Sequence, residues 1–222
     1  MVVRLTVSST SGLLSARELR ASVSVIALLW SLGHIQPAIA QSLPTGGTVA
    51  SGNVSISSTS PTSLTISQSS RTGIVNWSSF SIGQGHQVQF NNGSGATLNR
   101  VTGNVPSSIN GVLSATGSVY LVNPSGVVVG PSGEIKTGGS FVASTLDVKD
   151  AEFRAGGSLT FSGNSNASVV NLGKIGASKG DVVLIARQVR NDGSLTARNG
   201  TAAMASGSEV VLSDGSLGNG KV

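Results

Sequence analysis

Few side chains in the sequence could perform chemistry, and they are far apart. From residue 41 onward there are one histidine, His86, eight carboxylates and no cysteine. A Ser-His-Asp triad would have to use His86, which follows Gly-Gln-Gly and has no G-x-S-x-G nucleophile motif nearby. We therefore interpret His86 as an exposed turn residue and predict no catalytic residues.

The carboxylates also lack a pattern that is typical of catalysis or metal binding. Pectin-cleaving β-helices use Asp clustered on one face, whereas Asp181, Asp192 and Asp214 fall on different turns. The calcium-binding repeat GGxGxDxUx is absent. Residues 215–221 fit a P-loop pattern only without its Ser/Thr and without its strand–helix context. The sequence thus predicts no enzyme, no metal and no cofactor.

A repeat of 20 residues indicates how the elements are arranged. The paired positions are Asn171/Asn191, Gly173/Gly193, Ile175/Leu195, Ala177/Ala197, Gly180/Gly200 and Leu184/Met204. A unit this short cannot bury an apolar face alone, so it must stack on a neighbour. Apolar residues alternate with small or polar ones inside each unit, which is typical of strands. We predict an all-β fold, a right-handed parallel β-helix of the single-stranded, pectin-lyase-like kind.

The composition suits stacked strands that are joined by tight turns. Of 222 residues, 30 are glycine, 38% are hydrophobic and 10% are charged. Regularly spaced apolar residues argue against disorder. The formal net charge is +5, without a run of Lys or Arg, so a nucleic-acid partner is not expected. About 20 residues per coil allow at most about nine coils after residue 40.

Residues 1–40 have the features of a secretory signal peptide. Arginines precede a short apolar run at 21–32, and Ala38 and Ala40 supply the small-x-small cleavage pattern before Gln41. The run of about a dozen apolar residues is too short to span a bilayer comfortably. We predict cleavage after Ala40 and an exported, soluble chain from Gln41 onward.

Residues 41–222 are expected to form one β-helical domain. At about 41–70, two short alternating stretches flank Ser60-Pro61, and we assign them to an N-terminal cap. Coils are expected at about 71–212. Three aromatic residues follow the cap and are expected to fill the space beneath it: Trp77, Phe80 and Phe90.

Two regions are expected to depart from the regular coils. The charged segment within residues 147–170 is expected to form a solvated hairpin outside the stack. After residue 212 the sequence is too polar and Gly-rich to shield an open rung, which would be prone to aggregation. We therefore expect a truncated or partner-covered C-terminal end.

One turn is well defined by its residue types. Asn123, Pro124, Ser125, Gly126 and Val127 follow the apolar stretch 119–122. Proline presets φ in a β-turn, and glycine supplies the positive φ that lets the next strand depart at once. On the residues alone, the 123–127 turn is a structural connection between rungs.

With its surroundings, this turn resembles a known family. The run INGVLSATGSVYLVNPSGVVVGPSGEI (109–135), with NWSSF (76–80) and LNRV (98–101), is similar to the two-partner secretion (TPS) domain of filamentous haemagglutinin-type exoproteins, the TpsA proteins. Residues 123–127 match the family's NPNGI-type motif, with Ser125 for Asn and Val127 for Ile. The resemblance covers roughly residues 45–210. The family's NPNL motif has no match, and residues 103–106 are the nearest region.

The resemblance implies a role in secretion. A cognate outer-membrane TpsB-type barrel transporter would bind the chain in the periplasm through its POTRA domains. The chain would then reach the surface of a Gram-negative-type bacterium or the medium and seed β-helix folding there. A downstream passenger would serve adhesion and virulence, and could contact host-cell or surface glycans.

Two other functions remain open at this stage. A β-helical carbohydrate-active enzyme would need three acidic side chains within reach of one another on one face. A carbohydrate-binding solenoid would be favoured by a row of exposed aromatic side chains, for which only Tyr120 is a candidate.

Overall fold

The computed structural model describes residues 43–213, with the side chain of Thr59 excepted. The predicted cleavage site at Ala38, Ala40 and Gln41 lies outside the described residues, as do Asp214 and residues 215–221. The described chain is almost entirely β-strand, with one short helix. That helix has six residues, and no helix in the described part of the chain is long and apolar enough to cross a membrane.

Strands form where apolar and polar residues alternate, and turns rich in Gly and Asn separate them. The first part of the chain contains β1 (Thr48–Ser51), β2 (Val54–Ser60), β3 (Ser63–Gln68), β4 (Thr72–Trp77), β5 (Gln87–Asn91), β6 (Ala96–Val101), β7 (Ser107–Ile109) and β8 (Val112–Ala115). The middle part contains β9 (Ser118–Val122), β10 (Val127–Val129), β11 (Glu134–Thr137), β12 (Phe141–Ser144), β13 (Asp147–Val148), α1 (Asp150–Ala155) and β14 (Leu159–Ser162). The last part contains β15 (Ser168–Asn171), β16 (Lys174–Ala177), β17 (Val182–Ala186), β18 (Gln188–Asn191), β19 (Ser194–Ala197), β20 (Ala202–Ser206) and β21 (Glu209–Leu212).

The strands build three sheets that wind around a common interior. Sheet A has the order β1-β4-β6-β9-β12-β17-β20, sheet B the order β18-β15-β10-β7, and sheet C the order β19-β16-β11-β8-β5-β3-β2. Pairing in these sheets is parallel except for β1 with β4 and β2 with β3. The predicted right-handed parallel β-helix is confirmed. Sheets A and C each contain six parallel rungs among the described residues, fewer than the upper limit of nine.

The register confirms the 20-residue repeat. Asn171 pairs with Asn191, Ile175 with Leu195, and Leu184 with Met204. Each repeat is therefore one complete coil, and equivalent side chains stack directly above one another.

The N-terminal end is closed by the two antiparallel strands. β1 and β2 lie at the edges of sheets A and C. Their antiparallel direction ends the parallel stacking, as a cap must. Strand β3 is already the first rung, because Leu64 pairs in parallel with Val88.

The interior is a column of aliphatic and aromatic side chains. On sheet C, one stacked row consists of Leu64, Val88, Leu113, Ile135, Ile175 and Leu195. Burying one such side chain contributes about 1.5–3 kcal/mol. The stack is therefore held mainly by contacts between successive coils.

A second apolar cluster lies on the outer face of sheet A. Its row of outward side chains is Ile74, Leu98, Tyr120, Val142 and Val183. Four elements cover this row, β13, α1, β14 and β21, which we call the outer brace. The brace contributes Val148, Phe153, Leu159, Phe161 and Leu212 to the cluster.

The outer brace leaves the stack within a single coil. Phe141 of β12 pairs directly with Val182 of β17, so residues 147–162 are an excursion. The predicted hairpin exists as the antiparallel pair β13–β14, with α1 between its strands. The expectation that it is solvated was wrong, because Phe153 and Phe161 face sheet A and are buried. Of its charged residues, Asp147 and Asp150 contact Arg100 of sheet A, whereas Lys149 and Arg154 are exposed.

Candidate functional site

The 123–127 turn connects β9 of sheet A to β10 of sheet B. The Asn123 backbone N–H donates to the Ser144 carbonyl of the next rung at 2.9 Å. The Gly126 N–H donates back to the Asn123 carbonyl at 2.9 Å, which closes a β-turn with Pro124 in its second position. Gly126 has φ of 113°, in the region that favours glycine.

The side chain of Asn123 is fully buried and holds two neighbouring layers together. Its amide Nδ2 donates to the Val105 carbonyl at 3.0 Å and to Ser107 Oγ at 2.9 Å. Its Oδ1 accepts the Ser125 N–H at 2.9 Å. Because both ends of the amide have partners, burial leaves no polar group unpaired.

The outside of this corner is formed by three chain segments. Pro124 is exposed, and its carbonyl accepts the Ser165 hydroxyl at 2.6 Å. On the other side, the Ser107 N–H donates to the Gly126 carbonyl at 2.9 Å, and Val105 is 48% exposed. Residues 103–106, the nearest counterpart of the NPNL motif, therefore lie directly against the 123–127 turn. Val127 points into the core.

The three predicted aromatic residues lie in the interior near the cap. Trp77 and Phe80 make an edge-to-face contact with ring centroids 5.5 Å apart. The Trp77 indole N–H donates to Asn99 Oδ1 at 3.0 Å. Phe90 is fully buried in the same cluster, against which Ile56 of the cap packs.

The candidate catalytic and metal-binding side chains in the described residues lie apart and have separate partners. Asp181 is buried at the corner between sheets C and A and accepts the Thr201 N–H, whereas Asp192 pairs with Arg190. His86 is partly buried in its turn, with Nδ1 3.1 Å from the Gln84 carbonyl. Within residues 43–213 no three His, Cys, Asp or Glu side chains could jointly hold a metal ion.

No aromatic row lies on the surface of the described chain. Its seven aromatic side chains are all buried, including Tyr120 beneath the outer brace. Phe153 contacts Tyr120 edge-to-face, with centroids 5.1 Å apart. Burial raises the pKa of Tyr120, and the negative charge of Asp181 raises it further.

Sequence reasoning missed the role of Arg100. It extends from the outer face of β6 and binds the brace: its Nε lies 2.9 Å from Asp147 Oδ1, and its Nη2 donates to Asp150 Oδ1 at 2.8 Å and to the Val148 carbonyl at 2.9 Å. Burial lowers the pKa of Arg100, but the hydrogen bonds to Asp147 and Asp150 outweigh it, so the net shift is upward. The one available signal was an arginine two residues after Leu98 on the same apolar face.

The cap, the parallel coils and the buried Asn-Pro turn together define a capped parallel β-helix. The family model of the TPS secretion domain matches residues 40–222, and the chain belongs to that family. The suspected resemblance is confirmed. TPS domains are part of TpsA exoproteins, which Gram-negative bacteria secrete with a TpsB transporter, and the family is not an enzyme family.

Two curated relatives come from Haemophilus influenzae. The chain is 36% identical over 201 residues to the heme/hemopexin-binding protein of strain Rd, which covers 81% of this chain and 21% of that protein. A second heme/hemopexin-binding protein is 40% identical over 100 residues, 44% of this chain and 11% of that protein. The chain thus spans about a fifth or less of the length of these relatives.

Two solved structures share the fold. The crystal structure of the HMW1 secretion domain from Haemophilus influenzae matches with a TM-score of 0.67 and 31% identity, over 77% of this chain and 46% of that chain. The filamentous hemagglutinin secretion domain matches with a TM-score of 0.53, over 75% of this chain and 65% of that chain. At 15% identity, the second comparison supports the fold alone.

Proposed function

We propose that this chain is the N-terminal secretion and recognition domain of a filamentous haemagglutinin-like exoprotein. A signal peptide at residues 1–40 directs it to the periplasm. There the POTRA domains of a cognate TpsB-type transporter bind it. On the outside of the cell, its coils fold and provide the first rungs for a β-helical passenger.

The observation that carries this proposal is the burial of Asn123. In the folded domain its side chain is inaccessible, and both ends of its amide are bonded internally. A transporter that binds the Asn123 side chain must therefore bind it before this coil folds. Folding then withdraws the residue and favours release.

The topology predicts slow folding, which leaves time for such recognition. Parallel pairing joins residues 20 to 42 positions apart, such as Val127 with Ser107 and with Val169. Folds dominated by non-local pairing form slowly, so the chain stays extended in the periplasm. Extended strands can add to the exposed edges of the transporter's periplasmic sheets.

A secretion assay tests the role of the turn. Asn123→Ala should reduce the amount of chain in the medium when the transporter is co-expressed. Asn171→Ala is the matched control, because the Asn171 side chain is equally buried and hydrogen-bonded but lies outside residues 123–127. Equal secretion of both variants and the parent would contradict a special role for Asn123.

A binding experiment tests the order of events. The isolated POTRA domains should bind the chain freshly diluted from denaturant, and bind it much more weakly after it has folded. Equal binding to folded and unfolded chain would show that the transporter does not depend on groups hidden by folding.

Adhesion is proposed for the passenger and not for the described coils. A second candidate, binding of heme or hemopexin by the whole exoprotein, is favoured by the 36% identity to a protein of that name. Assays of the complete exoprotein for attachment to host cells and for retention on heme–hemopexin decide between them. If an altered passenger no longer attached to host cells but was still retained on heme–hemopexin, the two roles would be separate.

A further inference from the structure

Three Asn-Gly pairs lie in the described residues, and a pair of this kind can modify itself. They are Asn92-Gly93, Asn110-Gly111 and Asn199-Gly200. The glycine nitrogen can attack the side-chain amide carbon of the asparagine, since glycine has no Cβ to hinder the approach. A succinimide ring forms and ammonia leaves. Water then opens the ring and leaves either aspartate or isoaspartate in the chain.

The fold protects the first two pairs. The Asn92 side chain is 3% exposed, its Nδ2 donates to the Ser118 carbonyl at 2.9 Å, and its Oδ1 accepts the Gly117 N–H at 2.7 Å. In the second pair, the Gly111 N–H donates to the Ile82 carbonyl at 3.0 Å. This nitrogen must lose that bond before it can attack the preceding side chain. Both pairs can therefore react only when the coil opens locally.

The third pair has neither protection. Asn199 and Gly200 are exposed in the turn between β19 and β20, on the last described coil. The Gly200 N–H has no hydrogen-bond partner within residues 43–213. The Asn199 Nδ2 donates to the Ser178 carbonyl of the coil below at 3.1 Å, which is a bond at the surface. The attacking nitrogen and the leaving group are therefore both accessible in the folded chain.

Packing requires the glycine that makes Asn199 reactive. A Cβ at position 200 would collide with the buried carboxylate of Asp181 and with the Gly180 carbonyl on the coil below. A larger residue, which would hinder the attack on Asn199, therefore does not fit at this corner unless the corner shifts.

We propose that Asn199 is a site of spontaneous deamidation and isoaspartate formation, which loosens the last described coil. The Gly200 nitrogen loses its proton and bonds to Cγ of Asn199, and the Cγ–Nδ2 bond breaks as ammonia leaves. Water then adds to one of the two succinimide carbonyls, whose bond to the ring nitrogen breaks. No oxidant or reductant is needed, and water is the one co-reactant.

Isoaspartate would disturb the contact between the last two coils, because its backbone runs through the former side chain and is longer by a methylene group. The turn 198–201 is bonded to the coil below at both ends. The Arg198 N–H donates to the Ala177 carbonyl at 3.0 Å. The Thr201 carbonyl accepts the Val182 N–H at 3.0 Å. A longer backbone between these two bonds cannot keep both in their present geometry, so β20 should separate from β17 more easily.

The new negative charge should matter less than the longer backbone. Lys179 lies below Asn199 in the 20-residue register and is exposed, so its ammonium group can reach a carboxylate there. Ser178, whose carbonyl loses its donor, is also exposed and can be hydrated. We therefore expect isoaspartate, and not aspartate, to loosen the coil.

Peptide mapping of the folded, purified chain tests the reaction. After incubation in mildly alkaline buffer, fragment-ion spectra locate the mass gain that marks replacement of an amide NH2 by OH. Methylation by protein isoaspartyl methyltransferase detects isoaspartate. Asn199 should be modified at least about tenfold faster than Asn92 and Asn110, which need local opening. In denaturant the three rates should become similar. Asn199→Gln should remove the signal at this position, because the longer side chain closes a ring much more slowly.

Hydrogen exchange tests the consequence for the coil. In the chain that carries isoaspartate, the β20 amides should exchange about tenfold faster than in fresh chain, and the β9 amides should not change. Asn199→Asp is the matched control, because it adds the same charge on an ordinary backbone and should change exchange in β20 much less.

Two kinds of result would overturn the proposal. One is no modification of Asn199 in the folded chain, or modification no faster than that of Asn92 and Asn110. The other is unchanged exchange in β20 after isoaspartate has formed, or equally fast exchange in Asn199→Asp, which would show that the longer backbone does not loosen the coil.

Discussion

At the scale of single residues, Asn123 is the clearest case of a side chain that determines local structure. Asn123→Ala would leave the Val105 carbonyl, the Ser107 hydroxyl and the Ser125 N–H without their partner. A buried polar group that loses its partner costs about 1–3 kcal/mol. Val105 and Ser125 are partly exposed, so water can replace part of the loss there, and we expect the free energy of unfolding to fall by about 2–4 kcal/mol. Denaturant unfolding measures this loss. Ser125→Ala should change stability little, and a comparable loss there would contradict the assignment.

The burial of Tyr120 predicts how the stability of the folded chain depends on pH. The unfolded chain loses the phenolic proton near pH 10, whereas burial keeps it bound in the folded chain. The unfolded state therefore releases its proton first, and stability should fall above about pH 10 by at most about 1.4 kcal/mol per pH unit. Tyr120→Phe should flatten this part of the stability profile and keep the ring contact with Phe153.

The absorbance of tyrosinate gives an independent check, since this is the chain's one tyrosine. In the folded protein the signal should appear only together with unfolding. A phenolate signal near pH 10 without any loss of structure would show that Tyr120 is accessible.

At the scale of elements, the attachment of the outer brace depends on Arg100. Arg100→Gln removes the charged contacts to Asp147 and Asp150, whose side chains are nearly half exposed and can be hydrated instead. We expect the brace to open locally about 1–2 kcal/mol more easily. Hydrogen exchange of the α1 amides should then speed up by about tenfold.

Arg190→Gln is the matched control for this experiment. It breaks the exposed pair with Asp192, which bridges no two elements of the brace. Exchange in α1 should not change. If both variants exchanged equally fast, the effect would be one of charge and not of the contact between β6 and the brace.

The same elements explain what the sequence could and could not predict. Coils were predictable because a 20-residue offset such as Ile175 to Leu195 is visible along the chain and becomes the strand register. The 123–127 turn was predictable because its residue types are local. The brace was misjudged because Phe161 meets a row formed on distant coils, starting at Ile74.

At the scale of the whole molecule, the brace should change how the solenoid unfolds. Stacked coils that contact only their neighbours can unfold one after another. Here α1 reaches back to β4, the first parallel rung of sheet A, and β21, which follows the last, pairs with β14. The brace therefore links the two ends of the described stack, and we expect one cooperative transition.

Phe161→Ala tests this coupling. Removing a buried phenylalanine costs about 3–5 kcal/mol, and here the loss falls on the link between the ends. In the chain from residue 41 onward Trp77 is the one tryptophan. Its fluorescence, which reports the N-terminal rung, and far-ultraviolet circular dichroism should give coincident unfolding curves for the parent. In Phe161→Ala the two curves should separate, because the C-terminal coils unfold first.

Phe141→Ala is the control, since Phe141 is equally buried but lies inside the stack. It should lower stability by a similar amount and leave the curves coincident. If both variants kept coincident curves, contacts between adjacent coils would suffice for cooperativity, and the outer brace would add stability without joining the ends.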